Sequence, residues 1–448
     1  MKADKNTAAY GGYYARGSLE PNHELTAVGP GTACGEYLRR FWHPIALASE
    51  IKDLPIAIRV LGEDLVLFRD LSGDVGLLHR HCSHRGTSLE YGRISDHGIR
   101  CCYHGWKFDI DGTILETPGE PAWSRRKETL RHGAYRTQEY SGLIFAYMGP
   151  PEDTPPLPIL DTFLYPAGNM LVPYKLHQPS NWLQAHENGA DPIHTAFLHG
   201  SYGATFTPVF ESLPTIEFFE TPLGVLAMSV RRWKDNLYVR ASDVFVPNFA
   251  QFGSGSINGE YEKFAFTAWT TRWIVPVDDH NCWTIGLRHI NSVMDPLGES
   301  DPSKIGLEKI DLPGQTGDRT YEERQRDPGD WDAQVSQRTI AVHAQENLGN
   351  TDRGIAMLRS QLTRNIRALA SDRTDVRPSF DGVATPTFIH EIVLRKPADD
   401  SIDEFEARRE FGRRVARIII ESSSMPMELR RSEVEKQVRA LALDNVPA

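Results

Sequence analysis

From Ile56 to about Met148 apolar and polar residues alternate in short runs, as in IAIRVLGEDLVLFRD, VGLLHR and GLIFAYMG. Gly62-Glu63-Asp64 and Asp111-Gly112 punctuate these runs as hairpin turns, so the stretch predicts a small all-β domain. The proline-rich segment from Gly149 to Pro158 then reads as a linker. Beyond it, VLAMSVRRW, LYVRASDVFV, FAFTAWTTRWIVPV and CWTIGLRHI alternate as strands of an antiparallel sheet with one buried face would. Helical periodicity marks 181–199, 331–370 and 403–421, whereas 293–330 is polar, rich in Asp, Gly and Pro, and predicts a long surface loop. Strands and helices segregated in this way predict an α+β fold. The expected organisation is a polar N-terminal extension packing on the core (1–45, ending in a helix-like stretch at 35–42), a β domain (46–150) and a larger sheet-and-helix domain (151–448).

Length and charge narrow the field. The chain has 448 residues, enough for two or three domains. Its net charge of −11, with no Lys/Arg-rich block, argues against a nucleic-acid partner. The N-terminus lacks an apolar leader, and no apolar run is long enough to span a membrane. Five cysteines give no disulfide framework, and Cys34 and Cys282 read as isolated buried thiols. A soluble protein of a reducing compartment is expected, most simply the bacterial cytoplasm.

The chemistry concentrates in two places. Cys82-Ser83-His84 and Cys101-Cys102-Tyr103-His104, with 16 residues between His84 and Cys101, offer one thiolate and one imidazole twice. A Rieske [2Fe–2S] cluster needs that set, with two Cys on one iron and two His on the other. Structural zinc also takes two Cys and two His, but zinc fingers usually place Cys pairs and His pairs in separate halves. The neighbours Gly86 and Gly105 allow backbone amides to approach the sulfurs. The first loop continues Arg85-Gly86-Thr87 and Tyr103 stands between Cys102 and His104, so neither loop offers the bracing cysteine of respiratory-type clusters, which favours a lower-potential, oxygenase-type centre. Cys102 reads as a small buried side chain beside a ligand.

The second dense stretch runs from Asn181 to His199 and includes Asn188, Asp191, His194 and His199. Two His and one carboxylate with open positions suit non-haem Fe(II) that must also bind O2. His194 and His199 are five residues apart, about 140° round an ideal helix. If both hold one metal, the helix must end, widen or bend between them, and π-bulges favour functional sites. The bland reading is a helix start, with Asp191 as N-cap and Pro192 in the first turn.

Taken together, CSHRG, CCYHGW and the N-W…E-N-x2-D-x2-H-x4-H segment resemble the oxygenase (alpha) component of Rieske non-haem iron aromatic-ring-hydroxylating oxygenases. The resemblance covers nearly the whole chain and is greatest to the phthalate dioxygenase-like branch of dioxygenases and O-demethylases. It implies that Cys82, His84, Cys101 and His104 hold the cluster and that His194 and His199 bind mononuclear iron. Asp191 matches the family's bridging aspartate, which links a catalytic His to a cluster His of a neighbouring subunit. Asp330 matches the downstream carboxylate ligand best, with Asp332 and Glu346 as alternatives. Cys102 stands where the family usually has proline.

The resemblance further implies electrons from NAD(P)H through a separate flavin and iron–sulfur reductase. They would pass from the cluster by a His104–Asp191–His194 or His199 route to Fe(II), with O2 as co-substrate, in a homotrimer or stacked trimers. Asn188 is a candidate for gating or hydrogen bonding near the iron. Arg231, Arg232, Arg240, Arg272 and Arg288 lie in the predicted pocket sheet, where any one of them would suit a substrate carboxylate. Phe206, Phe245, Phe252 and Trp283 are candidate pocket walls that core packing explains equally well. The reading is therefore an oxygenase that hydroxylates or oxidatively O-demethylates an aromatic substrate, an aromatic acid first. The alternative is a Rieske electron-transfer protein without oxygenase activity, which would hold two irons per chain where an oxygenase holds about three.

Overall fold

The computed structural model describes residues 9–10, 12, 17–202, 206–371, 377, 384–398 and 403–443. Most of the first sixteen residues of the expected N-terminal extension lie outside these. The part described begins to pack at once. Leu25 and Val28 are fully buried, Trp182 Nε1 donates to Leu25 O at 3.2 Å, and Asn181 Nδ2 donates to Thr26 O at 2.9 Å.

The β domain uses ten strands: β1 (Trp42–Leu47), β2 (Ile56–Val60), β3 (Glu63–Arg69), β4 (Val75–His79), β5 (Arg93–Ile94), β6 (Ile99–Arg100), β7 (Lys107–Phe108), β8 (Ile114–Glu116), β9 (Ala134–Tyr140) and β10 (Leu143–Tyr147). Six of them form an antiparallel sheet in the order β1-β10-β9-β4-β3-β2. The four short strands β5 to β8 form a second sheet, inserted between β4 and β9. This insertion carries both Cys/His loops, one between β4 and β5 and one between β6 and β7. Its Leu89, Ile99, Trp106, Phe108 and Ile114 pack with Val66 and Phe68 of β3 and Leu78 of β4 in a small separate core.

The larger domain is built on a nine-stranded antiparallel sheet of β11 (Met170–Gln178), β12 (Thr215–Thr221), β13 (Gly224–Trp233), β14 (Asn236–Phe245), β15 (Phe249–Phe252), β16 (Lys263–Ala265), β17 (Thr270–Pro276), β18 (Cys282–Ile290) and β19 (His390–Arg395). Its order is β11-β18-β17-β15-β14-β13-β12, with β19 bonded to β14 and β16. One buried face was the sequence expectation, and β13 departs from it. Val225 and Ala227 enter the main core, while Leu226, Met228 and Val230 enter a second core made with the helices Glu404–Glu421 and Met427–Leu443. Helices cover both faces, so both sets of alternating residues are apolar.

The main core is common to both domains. Phe145 of β10 meets Trp273 of β17 edge-on at 5.5 Å, and the amides of Leu61 and Gly62 bond to Pro276 O and Val277 O. The helical pattern of 331–370 resolves into two helices, Asp330–Val335 and Arg353–Leu369, separated by turns. Among the described residues no helix is long and apolar enough to cross a membrane.

Candidate active site

The two Cys/His loops are a matched pair of turns. Gly86 N–H returns to Cys82 O at 2.8 Å and Gly105 N–H to Cys101 O at 3.1 Å. Both glycines sit at positive φ, 78° and 74°, which lets each turn close tightly. Cys82 and Cys101 are buried side by side. Burial pushes the Cys82 thiol up to about 11, opposed by the backbone amides of His84 and Arg85, which point at its sulfur. The His84 and His104 rings face each other edge-on with centroids 4.5 Å apart, and His84 stacks on Trp106 at 4.8 Å. His84 Nδ1 is buried yet has no protein hydrogen-bond partner. An orphaned ring nitrogen beside two buried sulfurs and a second imidazole is the donor set that a Rieske cluster uses. Cys102 is exposed, correcting its reading as a buried side chain. The turn directs Cys101 inward and leaves its successor on the outer side.

The second constellation is drawn together from the start and the middle of the larger domain. The helix Trp182–Glu187 passes through a 3-10 turn at Asn188–Ala190, and the chain re-enters as a π-helix over Thr195–Tyr202. This is the widening that two imidazoles five residues apart require. Asp191 Oδ1 accepts from the amides of Ile193 (3.0 Å) and His194 (3.3 Å) and shapes the intervening turn. His194 Nδ1 donates to Asp191 O, which leaves Nε2 free to face its neighbours.

Asp330, at the start of the helix Asp330–Val335, completes the group. Its Oδ1 lies 3.2 Å from His199 Nε2 and 3.6 Å from His194 Nε2, and one ligand atom from each residue falls within 4.8 Å of the others. Burial would raise the Asp330 carboxyl, but His199, His194 and Arg272 together hold it well below the usual carboxylate range. Two imidazoles and one carboxylate in this arrangement match a mononuclear non-haem iron site. Asn188 Nδ2 donates to Asp330 Oδ1 at 3.3 Å, and Gln315 Nε2 donates to Oδ2 at 2.8 Å. Gln315 went unnoticed in the sequence, where a lone Gln in a polar stretch carries no signal.

The alternatives to Asp330 stand apart from this group. Asp332 pairs with Arg319 at 2.6 Å and accepts from Gly329 N, and Glu346 is held by Arg359. Among the described residues no hydrogen bond or ion pair joins Asp191 to His104 within the chain.

Beside Asp330 opens a cavity of about 740 Å³. The five arginines divide. Arg240, Arg272 and Arg288 line it, whereas Arg231 is buried against Thr195 and Arg232 pairs with Glu404. Arg288 is already committed, bonding Asp311 and Ser300 and lying over Trp269 at 4.0 Å. Phe206 and Phe252 line the cavity, while Phe245 belongs to the main core and Trp283 packs against it. The polar stretch 293–330, expected to be only a surface loop, folds over the mouth, and Met294, Ile310, Leu312 and Gln315 face inward. These few apolar residues are too widely spaced to show a period, so the stretch reads as loop although it closes a cavity.

Comparison with known proteins identifies the family. Residues 41–136 match the Rieske [2Fe-2S] domain family. The chain is 40% identical to the tert-butanol monooxygenase / tert-amyl alcohol desaturase oxygenase subunit of Aquincola tertiaricarbonis, over 96% of each chain. It is 37% identical to phenoxybenzoate dioxygenase subunit alpha of Ectopseudomonas oleovorans, over 77% of this chain and 85% of that one. The fold is shared with the carbazole-bound oxygenase solved in complex with ferredoxin in carbazole 1,9a-dioxygenase. There the TM-score is 0.52 and the identity 18%, over 76% of this chain and 94% of that one.

Proposed function

The chain belongs to the Rieske non-haem iron oxygenases, as an oxygenase subunit of the phthalate dioxygenase- and O-demethylase-like branch, and on that footing we propose that its substrate is an aromatic acid. Membership among oxygenase subunits sets aside the reading as a bare electron carrier, and the Rieske family match sets aside zinc. The reaction proposed is hydroxylation or oxidative O-demethylation.

The observation that carries the substrate class is Arg272. It lines the same cavity as His194, His199 and Asp330 and lies over the Phe252 ring at 4.6 Å. Among the described residues it has no ion-pair partner, so its donors are free for a carboxylate, which a guanidinium engages bidentately.

In this proposal Cys82, His84, Cys101 and His104 hold the cluster, and His194, His199 and Asp330 hold the iron. When bound, the two centres supply one-electron storage and activation of O2. The side chains supply position. Asn188 and Gln315 fix the two oxygens of Asp330, Phe206 and Phe252 flank an aromatic ring, and Arg272 sets its depth. The stretch over the mouth limits water. Asp191 is the electron bridge, partly exposed so that a cluster His of a neighbouring copy can reach it in a homotrimer or stacked trimers. The donor is a reductase or ferredoxin drawing on NAD(P)H, as ferredoxin partners the carbazole oxygenase, and the setting is cytoplasmic.

A second reading, oxidation of a small branched alcohol, rests on the 40% identity over 96% of the chain. A cavity of about 740 Å³ is sized for a larger ligand. Oxygen uptake with a surrogate reductase, followed by product mass, separates the two. Uptake coupled to oxidised product with aromatic acids, and none with tertiary alcohols, is expected. The opposite pattern overturns the aromatic-acid proposal.

A further inference from the structure

The buried cation Arg231 is explained neither by the cavity nor by the fold's ion pairs. It is 1% exposed, and among the described residues no carboxylate lies within ion-pair distance of it. Burial pulls its guanidinium down to about 10, so it stays charged at neutral pH. A buried charge without a counter-charge is costly, and a stable fold retains one where its hydrogen bonds serve a purpose.

One of those hydrogen bonds, and a stack of aromatic rings, lead to the two His-bearing positions. Arg231 Nη2 donates to Thr195 Oγ1 at 2.7 Å, and that hydroxyl donates in turn to Pro192 O at 2.6 Å. Thr195 directly follows His194 and opens the π-helix. Arg231 Nε donates to Ser212 O at 3.2 Å, Nη1 donates to Ser229 Oγ at 3.3 Å, and the guanidinium lies over the Phe210 ring at 4.8 Å. Phe210 meets Phe206 edge-on at 4.9 Å, and Phe206 stacks on the His199 ring at 4.4 Å. The π-helix also passes very close to this anchor, since a Cβ on Gly200 would sit 2.9 Å from Glu211 N. One planar fork therefore grips the turn after His194 through a hydroxyl, and the His199 ring through two aromatic rings.

We infer that Arg231 is a positioning residue that sets the separation of His194 and His199 by pinning the π-helix between them. The inference rests on the reading of His194, His199 and Asp330 as iron ligands. A π-helix is rarely stable by itself and needs such outside fixing. Lysine would keep the charge but not the fork, because it cannot address three acceptors in one plane.

The test uses purified full-length holoprotein and Fe(II) as the probe. Fe(II) affinity of the mononuclear site is measured by competition with a chelator, and the Rieske absorption serves as an internal control. Arg231→Gln and Arg231→Lys are each expected to weaken Fe(II) binding about 10- to 100-fold, with cluster absorption unchanged. Thr195→Val removes the hydroxyl that links Arg231 to Pro192 O and is expected to weaken it in the same direction, while Thr195→Ser restores parental affinity. Where the Arg231 variants fail to fold, the Thr195 pair decides. Fe(II) affinity within twofold of the parent in Thr195→Val, or in a folded Arg231→Gln, overturns the inference. A parent protein that binds no iron beyond its cluster instead refutes the ligand reading on which the inference stands.

Discussion

Asp191 caps a turn and, in the proposed function, bridges the electron path, and two substitutions separate the two tasks. Its Oδ1 caps the turn before His194 by accepting from Ile193 N at 3.0 Å and His194 N at 3.3 Å, and its second oxygen stands 3.8 Å from His194 Nδ1. Asp191→Asn keeps an Oδ1 acceptor for both amides and loses only the charge. Asp and Asn are near-equal caps, so stability should move by no more than about 0.5 kcal/mol, whereas Asp191→Ala abandons both amides at a cost of about 1 kcal/mol. The His194 ring proton goes to the Asp191 backbone carbonyl, which Asn keeps, so the loss falls on the proposed bridge to the cluster His. Losing such an outer carboxylate partner costs about 10- to 100-fold in activity, roughly 1.4–2.7 kcal/mol in the barrier. The assay is a single turnover. The cluster is reduced without oxygen, the protein is mixed with O2 and substrate, and cluster re-oxidation is followed by its absorbance while product is counted. Asp191→Asn should retain cluster, mononuclear iron and thermal stability, yet re-oxidise its cluster and form product 10- to 100-fold more slowly. Parental kinetics in Asp191→Asn would refute the bridge. Equal slowing in Asn and Ala variants that have both shed iron would reduce Asp191 to a cap.

Two further outcomes follow from the cavity and the core. Arg272→Met should raise KM for an aromatic acid about 10- to 100-fold, the scale of a lost charge-assisted hydrogen-bond pair. It should leave KM for the matching methyl ester unchanged, and an equal loss on acid and ester would remove Arg272 from substrate binding. Asp243 is buried in β14, accepts from Phe388 N at 2.7 Å, and faces Asp161 and Arg430; burial pushes its carboxyl up to about 8. An unfolded Asp sheds its proton near pH 3.9, so between about pH 4 and 8 the native chain holds a proton that the unfolded chain has lost. Stability therefore falls as pH rises through that window and levels off above it. Asp243→Asn removes this dependence, and urea midpoints measured from pH 5 to 8 should shift progressively in favour of the variant, so a pH-independent difference would show that Asp243 is ionised throughout.

The parts of the site that sequence reveals are those where ligand chemistry is local. Cys82, His84, Cys101 and His104 sit on two tight turns, so their spacing alone states the donor set. His194 and His199 were legible as a pair, and their five-residue spacing already demanded a distorted helix. Asp330 was harder to choose over Asp332, because the two stand two residues apart in a polar stretch and only the tertiary fold shows which faces the imidazoles. The Arg residues show the limit most clearly. Alternation placed all five in strands, but which face a strand buries depends on helices joined much later in the chain, so Arg231, buried against Thr195, and Arg272, lining the cavity, were indistinguishable. The helix Met427–Leu443 and the strands β11, β12 and β19 were not read from the pattern at all. β19 is buried along nearly its whole length, and burial along the edge strand β11 does not alternate, so neither shows a clean period of two.

The apolar seam between the two domains, with Phe145 on Trp273 and the backbone of Leu61 and Gly62 bonded across to Pro276 and Val277, also rules on motion. A contact that forms part of the main core does not open and close on the timescale of turnover, since loose, polar contacts are the ones that permit domain movement. A swinging-arm mode of delivery, in which the cluster carrier travels to its acceptor and back, is therefore closed to this chain. The electron has to cross a gap that the protein holds constant. In the proposed function its rate is then set by how a neighbouring copy docks, so that assembly would take over the part that movement plays in a mobile carrier.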